Sequence, residues 1–217
     1  MNRETALKIF APFDNIIFDF GGVFVDLDFN RTFQAFSKLN QKIDLSNLFS
    51  KKAQTEIFNL FEIGRISKVE FLKGLKQILD LNHVEDQNVI DAWCAMLLEL
   101  RPERVDFLKE ISQTKKIFLL SNINQIHEEH IAASFKQHLH LKEFYTLFEK
   151  VYFSHHLGMR KPDEATFAHV CKDSSLDVKK TIFVDDSIQH IEGAAKFGLS
   201  TYFLDPSNSF IVGTKDR

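Results

Sequence analysis

The chain has 217 residues, of which 44% are hydrophobic and 26% are charged, and its formal net charge at pH 7 is -3. This composition argues against membrane and disordered classes, and the weak negative charge gives no electrostatic reason to bind nucleic acids or anionic membranes, both of which require clustered basic residues. The length exceeds one average domain and falls short of two, which favours a single core with a sizeable insertion.

The chain contains no segment typical of secretion or membrane insertion. Its first residues, MNRETALKIFAPFDN, lack an apolar signal region, and no apolar run approaches the ~18 residues that indicate a membrane span. Cys94 and Cys171 are too few and too isolated for a disulfide framework or a zinc site, so we read both as reduced, buried thiols. These features predict a cytoplasmic protein without a membrane partner, either a monomer or a homodimer.

Five short apolar segments are typical of β-strands that are covered on both faces, because their hydrophobic residues are continuous and do not alternate. In chain order they are NIIFDF, KKIFLLS, KVYFS, TIFVDD and STYFL. Helical segments separate the later strands, namely PERVDFLKEISQT, DEATFAHVCKD and IQHIEGAAKFG. Repeated strand, helix, strand units imply right-handed crossovers, so the sequence predicts an α/β fold with a doubly wound, Rossmann-like parallel sheet.

A long helical insertion follows the first strand. From about Asn30 to Leu100 we find no convincing strand, only the helix-period segments RTFQAFSKL, SKVEFLKGLKQIL and VIDAWCAMLLEL, interrupted at FEIGRIS. This pattern predicts a small all-helical cap domain formed by residues 30–100. Residues 1–29 and 101–217 would form the core domain.

Polar residues stand at or after the carboxyl ends of the predicted strands, where open parallel sheets bind their ligands. In chain order they are Asp19, Ser121, Asn122, Lys161, Asp185 and Asp186. Each has a plain alternative, which is a turn or helix cap for the acids, serine and asparagine and a solvated surface position for the lysine. Together they predict a site at one edge of the sheet.

The residues beside these polar groups favour a ligand. Gly21 and Gly22 permit a tight turn and let a ligand approach backbone amides without a Cβ in the way. Pro162 restricts the residue before it to extended conformations, so the direction of Lys161 is fixed. These neighbours indicate a turn that can hold a phosphate group.

The adjacent acids Asp185 and Asp186 carry the strongest signal. Two neighbouring carboxylates repel each other unless a cation or strong hydrogen-bond donors lie between them. Magnesium typically binds one or two carboxylates together with waters and a phosphate. Capping of the following helix by Asp186 is an alternative that is compatible with a metal site.

These motifs resemble those of a known family. The order of FDFGGV, LLSN, RKP and FVDDS resembles the haloacid dehalogenase superfamily of aspartate-nucleophile hydrolases, with a helical cap after the first strand. VDLDFNR, FEIGRIS, LGMRKP and DD with IEGA look like its bacterial alpha-D-glucose-1-phosphate phosphatase branch. The resemblance spans nearly the whole chain and implies a magnesium-dependent phosphatase of small phosphorylated metabolites, including sugar phosphates such as glucose 1-phosphate.

The resemblance also implies roles for single residues. Asp19 would be the nucleophile that forms an aspartyl-phosphate, which water then hydrolyses. Mg²⁺ would be held by the Asp19 carboxylate, the Gly21 backbone carbonyl and Asp186, with Asp185 acting through water or as a support.

On the same resemblance, Ser121 and Asn122 would hydrogen-bond the phosphoryl oxygens, and Gly22 would let the phosphate reach the backbone. Lys161 would offset the charge of the phosphate and of Asp19. This assignment agrees with the chemistry of phosphoryl transfer, which depends mainly on positioning and on charge stabilisation.

One position departs from the pattern of most phosphatases in the superfamily. They carry an acid two residues after the nucleophile, and here that position is Gly21. Its absence disfavours a phosphomutase and favours sugar 1-phosphates over 6-phosphates, because an anomeric oxygen is the better leaving group. His155, His156, Asp26 and Asp28 are possible substitutes, although a structural or surface role is favoured for each.

Two further features have open alternatives. Arg65, in FEIGRIS, could select substrate from the cap, and a solvated loop position is slightly favoured. HEEH, residues 127–130, lacks the spacing of the helical zinc motif and favours an exposed, charged helix.

Two other functions compete with a phosphatase. A 2-haloacid dehalogenase also uses an aspartate nucleophile but no metal, and Asp185 and Asp186 argue against it because they would add unshielded negative charge near Asp19. The second is a binding protein of the same fold that has lost turnover together with the acid at Gly21.

Overall fold

The computed structural model of the chain describes residues 3–41, 54–100, 102–137 and 143–205. Its centre is a five-stranded sheet in the order β5-β4-β1-β6-β7, in which every neighbouring pair is parallel. The strands are β1 (Asn15–Phe18), β4 (Lys116–Ser121), β5 (Lys150–Phe153), β6 (Thr181–Asp185) and β7 (Ser200–Phe203). All five predicted strands are present, and the predicted doubly wound α/β fold is confirmed.

Helices cover both faces of this sheet. Apart from the insertion, they are α1 (Arg3–Phe10), α6 (Pro102–Ile111), α7 (Gln125–Gln137), α8 (Ser154–Leu157), α9 (Glu164–Asp173) and α10 (Ile188–Phe197). Two short 3-10 helices, Tyr145–Leu147 and Val178–Lys180, precede β5 and β6. The sheet side chains alternate between two apolar clusters, with Phe18 in one and Ile17 in the other. The strands are therefore buried on both faces, which explains their continuous apolar sequences.

The strand order reverses at β1. From β1 the chain builds β4 and β5 on one side, and it then crosses to build β6 and β7 on the other side. Ile17 pairs with Phe118 of β4 and with Phe183 of β6, so β1 is the central strand. A reversal of this kind opens a crevice at the carboxyl ends of the strands, which is where ligands bind in open α/β sheets.

The insertion is mainly helical and has a core of its own. Its helices are α2 (Phe29–Leu39), α3 (Gln54–Glu62), α4 (Lys68–Ile78) and α5 (Asp86–Cys94). They pack around a separate apolar cluster that includes Phe36, Phe71, Leu75 and Val89. This packing supports a cap, while the domain limits at residues 30 and 100 stay a prediction and the predicted restart at residue 101 lies outside the described residues.

The prediction that no strand occurs between Asn30 and Leu100 is wrong. The predicted helix VIDAWCAMLLEL ends at Cys94, and Leu97–Leu100 forms β3, which pairs antiparallel with β2 (Val25–Leu27). Leu and Met have high helix propensity, but pairing with β2 overrides this local preference. The chain thus leaves and re-enters the core through a two-stranded antiparallel sheet.

Other sequence predictions concern the cysteines and the membrane. Cys94 and Cys171 are both free and buried, as expected for reduced thiols. Among the described residues no helix is long and apolar enough to cross a bilayer.

Two of the candidate substitute acids have structural partners near the insertion. Asp26 Oδ1 lies 2.6 Å from Nη2 of Arg104, whose side chain is only 1% exposed. Asp28 is the N-cap of α2, where its Oδ1 accepts a hydrogen bond of 3.0 Å from the backbone N–H of Asn30. Both contacts support the structural roles favoured from the sequence.

We expect Asp26→Asn to lower the free energy of unfolding by about 2–3 kcal/mol, because the buried Arg104 loses its charged partner. The matched control is Asp28→Asn, which should change it by less than about 0.5 kcal/mol because asparagine caps helices as well as aspartate. Urea denaturation of both variants measures the two values. Equal losses of unfolding free energy in the two variants would show that the buried ion pair with Arg104 contributes no more to stability than the helix cap does.

Candidate active site

The predicted site residues converge at the carboxyl edge of the sheet. Asp19 follows β1, and its backbone N–H donates a 2.9 Å hydrogen bond to the carbonyl of Val184 in β6. Ser121 is the last residue of β4, and Asp185 is the last residue of β6. Asp19, Ser121 and Asp185 are all buried, so the carboxylates lie at the bottom of the crevice.

Lys161 connects the acids of two strands. Its Nζ lies 2.7 Å from Asp19 Oδ1 and 2.6 Å from Asp185 Oδ2, and its side chain is fully buried. Burial alone would lower the pKa of this ammonium, but the charges of Asp185 and Asp19 raise it above its ordinary value. Lys161 is therefore a fixed positive charge within the site, and the surface alternative is excluded.

The backbone of Lys161 is held as firmly as its side chain. Asn122 Oδ1 accepts a 3.0 Å hydrogen bond from the Lys161 N–H, and Asn122 Nδ2 donates one of 2.9 Å to the Lys161 carbonyl. The Lys161–Pro162 peptide bond is cis, and a Cβ at Gly193 of α10 would collide with the Pro162 carbonyl oxygen. The glycine of IEGA thus lets α10 pack against the lysine loop.

Asn122 was predicted to bind substrate, and this stays a prediction. Both polar atoms of its side-chain amide are engaged with the backbone of Lys161. Ser121 and Asn122 nevertheless both line the cleft above the acids.

Asp185 is surrounded by donors. Its Oδ2 faces Lys161, and its Oδ1 accepts a 2.7 Å hydrogen bond from the Ser187 N–H. His190 Nδ1 lies 3.0 and 3.1 Å from the two carboxylate oxygens. Burial opposes ionisation, but the charges of Lys161 and His190 lower the pKa of Asp185 below its ordinary value. This engagement favours the supporting role over direct metal ligation.

His190 was missed by sequence reasoning. Its imidazole also lines the cleft, so it joins the acid cluster to the open space above it. The signal was available, because His190 is the third residue of the helix that follows the paired acids.

Asp19, Asp185 and Asp186 form a carboxylate cluster. Each of them offers one oxygen, and these oxygens lie within 4.8 Å of one another. Burial and the charges of Asp19 and Asp185 raise the pKa of Asp186 to about 6. Burial also raises the pKa of Asp19, while Lys161 opposes this. Three acids facing one ammonium leave an excess of negative charge that a hard divalent cation fits.

The turn after Asp19 is shaped around Asp186. Gly22 has a φ of +71°, and a Cβ at this position would overlap Asp186 Oδ2. The conformation and the contact both require glycine there. Gly21 also lines the cleft, and the roles of its carbonyl as a metal ligand and of Gly22 in phosphate binding stay predictions.

A cleft of about 990 Å³ lies above the acids, between the sheet edge and the insertion. Glu62, at the end of α3, reaches it from the insertion, and its Oε1 lies 3.0 Å from Nε of Arg160. Arg160 also bonds the Asn59 side chain and precedes Lys161. Burial raises the pKa of the Glu62 carboxyl, and the charge of Arg160 opposes this.

Glu62 and Arg160 were also missed, although both occur in the motifs FEIGRIS and LGMRKP. In the first motif the sequence draws attention to Arg65 alone. Arg65 is exposed, and it lines a separate surface cleft together with Gly64 and His156.

The two candidate histidines have partners outside the main cleft. His155 Nδ1 lies 2.6 Å from the Ile123 carbonyl, and its Nε2 lies 2.8 Å from Glu128 Oε2. His156 Nε2 lies 3.2 Å from the same glutamate oxygen. These contacts place both histidines in a network with α7, in agreement with the structural role favoured for them.

The expectation that HEEH is wholly exposed is wrong for His127. This side chain is buried and stacks on Trp93 at a centroid distance of 5.3 Å. Burial lowers the pKa of His127 to about 4, so its imidazole is neutral at pH 7. Glu129 and His130 are exposed as expected, because α7 turns only one face to the interior.

Comparison with known proteins identifies relatives over almost the whole chain. Residues 13–198 match the family model of haloacid dehalogenase-like hydrolases. D-ribitol-5-phosphate phosphatase of Bacteroides thetaiotaomicron is 32% identical over 188 residues, which are 87% of this chain and 90% of that protein.

Solved structures agree with the family model. A crystal structure of a haloacid dehalogenase family enzyme from Bacteroides thetaiotaomicron matches with a TM-score of 0.83 and 30% identity, covering 92% of this chain and 97% of that one. Its complex with magnesium and inorganic phosphate matches at 0.78 and 31% identity, covering 89% and 95%. A 2-haloacid dehalogenase from Pseudomonas syringae, at 0.58 and 15% identity over 94% and 91% of the two chains, shares the fold alone.

We expect Gly22→Ala to weaken Mg²⁺ binding at least tenfold, because the new methyl group displaces the Asp186 carboxylate. Gly158→Ala is the matched control, since Gly158 has a similar φ of +70° and the nearest atom to its Cβ position is 4.0 Å away. Both variants pay a similar backbone cost of about 1–2 kcal/mol. Isothermal titration calorimetry measures the Mg²⁺ affinity of both variants. Equal affinities would exclude crowding of Asp186 as the cause of weaker Mg²⁺ binding.

Proposed function

The chain belongs to the haloacid dehalogenase-like hydrolase family, and we propose that it is a magnesium-dependent phosphatase, a phosphoric monoester hydrolase of small phosphorylated metabolites. The observation that carries this proposal is the fully buried Lys161 between Asp19 and Asp185, with Asp186 beside them under an open cleft. A phosphatase among its relatives, and a related structure that holds magnesium and phosphate, support the same chemistry.

Asp19 is the proposed nucleophile. One of its carboxylate oxygens forms a bond to phosphorus while the bond from phosphorus to the substrate's alcohol oxygen breaks. The alcohol leaves with one added proton, and water then attacks the aspartyl-phosphate, releasing inorganic phosphate and restoring the carboxylate. Lys161 offsets the charge of the phosphoryl group from its fixed position, and Ser121 and the turn at Gly22 offer it hydrogen bonds.

The metal would be held by Asp19, Asp186 and the Gly21 carbonyl, while Asp185 positions Lys161 and His190. Bound there, Mg²⁺ would neutralise the excess negative charge of the cluster and draw charge from the phosphoryl oxygens. The net charge of the carboxylate cluster therefore favours a phosphatase over a metal-free dehalogenase. The open cleft and the presence of Asp19, Lys161 and Asp186 together at its floor favour an enzyme over a binding protein.

Glu62 is the proposed source of the leaving-group proton. Gly21 cannot supply it, and Glu62 places a half-buried carboxyl in the cleft from the insertion. Its pKa is raised by burial, and the charged groups around it are Arg160, His190, Lys161 and Asp19. A carboxyl with a raised pKa retains its proton closer to neutral pH, as a general acid requires.

Sugar phosphates, with glucose 1-phosphate as the example, are the proposed substrates within this class. The sequence motifs support them, and a relative that acts on ribitol 5-phosphate supports a phosphorylated polyol. The missing acid at Gly21 favours 1-phosphates over 6-phosphates. The weak negative net charge gives no reason to expect nucleic acid as a partner.

We expect Asp19→Asn to abolish phosphate release while leaving the thermal unfolding transition in place, because the amide cannot attack phosphorus. The assay uses glucose 1-phosphate, glucose 6-phosphate and ribitol 5-phosphate, with Mg²⁺ and with a chelator. Wild-type release should require Mg²⁺ and should be faster from the 1-phosphate than from the 6-phosphate. Near-normal activity of Asp19→Asn would refute the nucleophile, and release in the chelator would refute the metal.

We expect Glu62→Gln to lower kcat by about a hundred- to ten-thousandfold, the usual contribution of proton transfer. A general acid acts while protonated, so wild-type activity should fall as pH rises through the raised pKa of Glu62, and the variant should lose this limb of its pH profile. Glu56→Gln, an exposed position on the same helix, is the control and should behave as wild type. If the activity of Glu62→Gln still fell with rising pH as in the wild type, Glu62 would be excluded as the general acid.

A further inference from the structure

The cleft has two chemically different ends. Its floor consists of the acids and of the polar groups at the strand ends. Its upper side, towards the insertion, includes five apolar side chains that are half-buried or exposed, beside the polar Thr32, Asn59 and Glu62, and we call the five apolar residues the apolar wall. They are Leu27, Phe29, Phe58, Trp93 and Leu97.

The apolar wall begins directly beside the phosphoryl site. Leu27 Cδ1 lies 3.0 Å from the position that a Cβ of Gly21 would take, and Leu27 Cγ lies 3.7 Å from it. At residue 21, where most phosphatases of this fold carry an acid, this chain therefore has leucine methyl groups. A leaving group that emerges past Gly21 meets hydrocarbon first.

Aromatic rings continue the apolar wall away from the acids. Phe58 and Trp93 lie 5.4 Å apart between ring centroids, and Trp93 stacks on the neutral His127, which also lines the cleft. Phe29, the first residue of α2, lines the cleft with 53% of its surface exposed. Rigid aromatic surface of this kind binds apolar groups at low entropic cost.

Two polar side chains near the apolar wall, Thr32 and Asn59, are already paired with protein groups, whereas Trp93 Nε1 is buried without a hydrogen-bond partner among the described residues. Thr32 Oγ1 donates to the Trp93 carbonyl at 3.3 Å and accepts from the Met96 N–H at 3.0 Å. Asn59 is bonded to Arg160, which also pairs with Glu62. Within the described residues, this end of the cleft thus offers a substrate's hydroxyl groups few partners, and unpaired buried hydroxyls are costly.

We propose a second substrate class for this site, the phosphomonoesters of apolar alcohols, whose hydrocarbon chain lies along the apolar wall while the phosphate lies at Asp19. The inference rests on the proposed phosphatase function and goes beyond sugar phosphates. The volume of about 990 Å³ is at the upper end of the usual range for small-molecule sites. It leaves room for a chain of several carbons beyond the phosphate.

Pentyl phosphate and D-ribitol 5-phosphate form a matched pair for the test, because both carry the phosphate on a five-carbon chain and only the second carries further hydroxyls. We expect kcat/KM for pentyl phosphate to exceed that for ribitol 5-phosphate at least tenfold. Along a series from ethyl to pentyl phosphate, kcat/KM should rise by about two- to fourfold per methylene, as hydrocarbon burial implies. Equal or reversed values without a chain-length trend would overturn the inference.

Phe29→Ser tests the apolar wall. Because Phe29 is exposed, we expect this substitution to leave the fold intact. It should lower the ratio of the pentyl to the ribitol value at least threefold. Val69→Ser is the matched control, because Val69 is 75% exposed near the start of another helix of the insertion and lies outside the cleft lining. An unchanged ratio in Phe29→Ser would exclude this residue from the recognition of the chain.

Binding can be measured without turnover, because Trp93 is the single tryptophan of the chain and lies in the apolar wall. We expect pentylphosphonate, in the presence of Mg²⁺, to change the tryptophan fluorescence and to bind more tightly than methylphosphonate. Chain-dependent binding without hydrolysis of any ester would overturn the phosphatase proposal and leave the apolar recognition standing. Equal affinity of the two phosphonates would overturn the recognition itself.

Discussion

A single buried ammonium organises the site. Lys161 pairs with the acid that follows the central strand and with the acid that ends its neighbour, and it thereby holds two carboxylates close together in the interior. Removing such a partner leaves uncompensated buried charge, which is among the most costly defects a fold can carry. Much of the surrounding structure serves to fix this lysine. Asn122 brackets its backbone, and the glycine at position 193 lets a helix approach its loop. The geometry of the site is thus secured by the same contacts that make the fold tolerate three acids at one edge.

The two ends of the cleft divide recognition between them. On the proposed function, the fixed charges at the floor bind the phosphoryl group, which every substrate of a phosphatase carries. The upper side belongs to the insertion and to the two short strands that lead into it, so on the proposed function a different part of the chain would bind the leaving alcohol. Gly21 lies where the two ends meet. Its lack of a side chain removes an acid from the usual place and gives that space to Leu27, while Glu62 brings a carboxyl into the cleft from the insertion.

The sheet and the acids at its edge could be predicted from the sequence, because continuous apolar segments and polar residues at their ends are local signals. Asp19, Lys161, Asp185 and Asp186 were found in this way. Glu62 and Arg160 were missed because their contacts with each other and with the cleft are tertiary, whereas His190 was missed although its place early in the helix after the paired acids is a local signal. The strand at Leu97–Leu100 was missed for a related reason, since its pairing with Val25–Leu27 joins segments about seventy residues apart and overrides a local preference for helix. His127 is buried where it stacks on Trp93, and a contact between residues so far apart in the sequence cannot be predicted from a short motif.

The antiparallel pair formed by β2 and β3 constrains how the insertion can move. Both connections between insertion and core run through this pair, and backbone hydrogen bonds join them. Two independent linkers would let the helices twist and slide over the sheet, whereas a paired ribbon bends readily about one axis and resists shear. Leu27 and Leu97 lie on this ribbon and line the cleft. Any bending of the ribbon would therefore carry part of the cleft lining with it, because Leu27 and Leu97 belong to both the ribbon and the cleft.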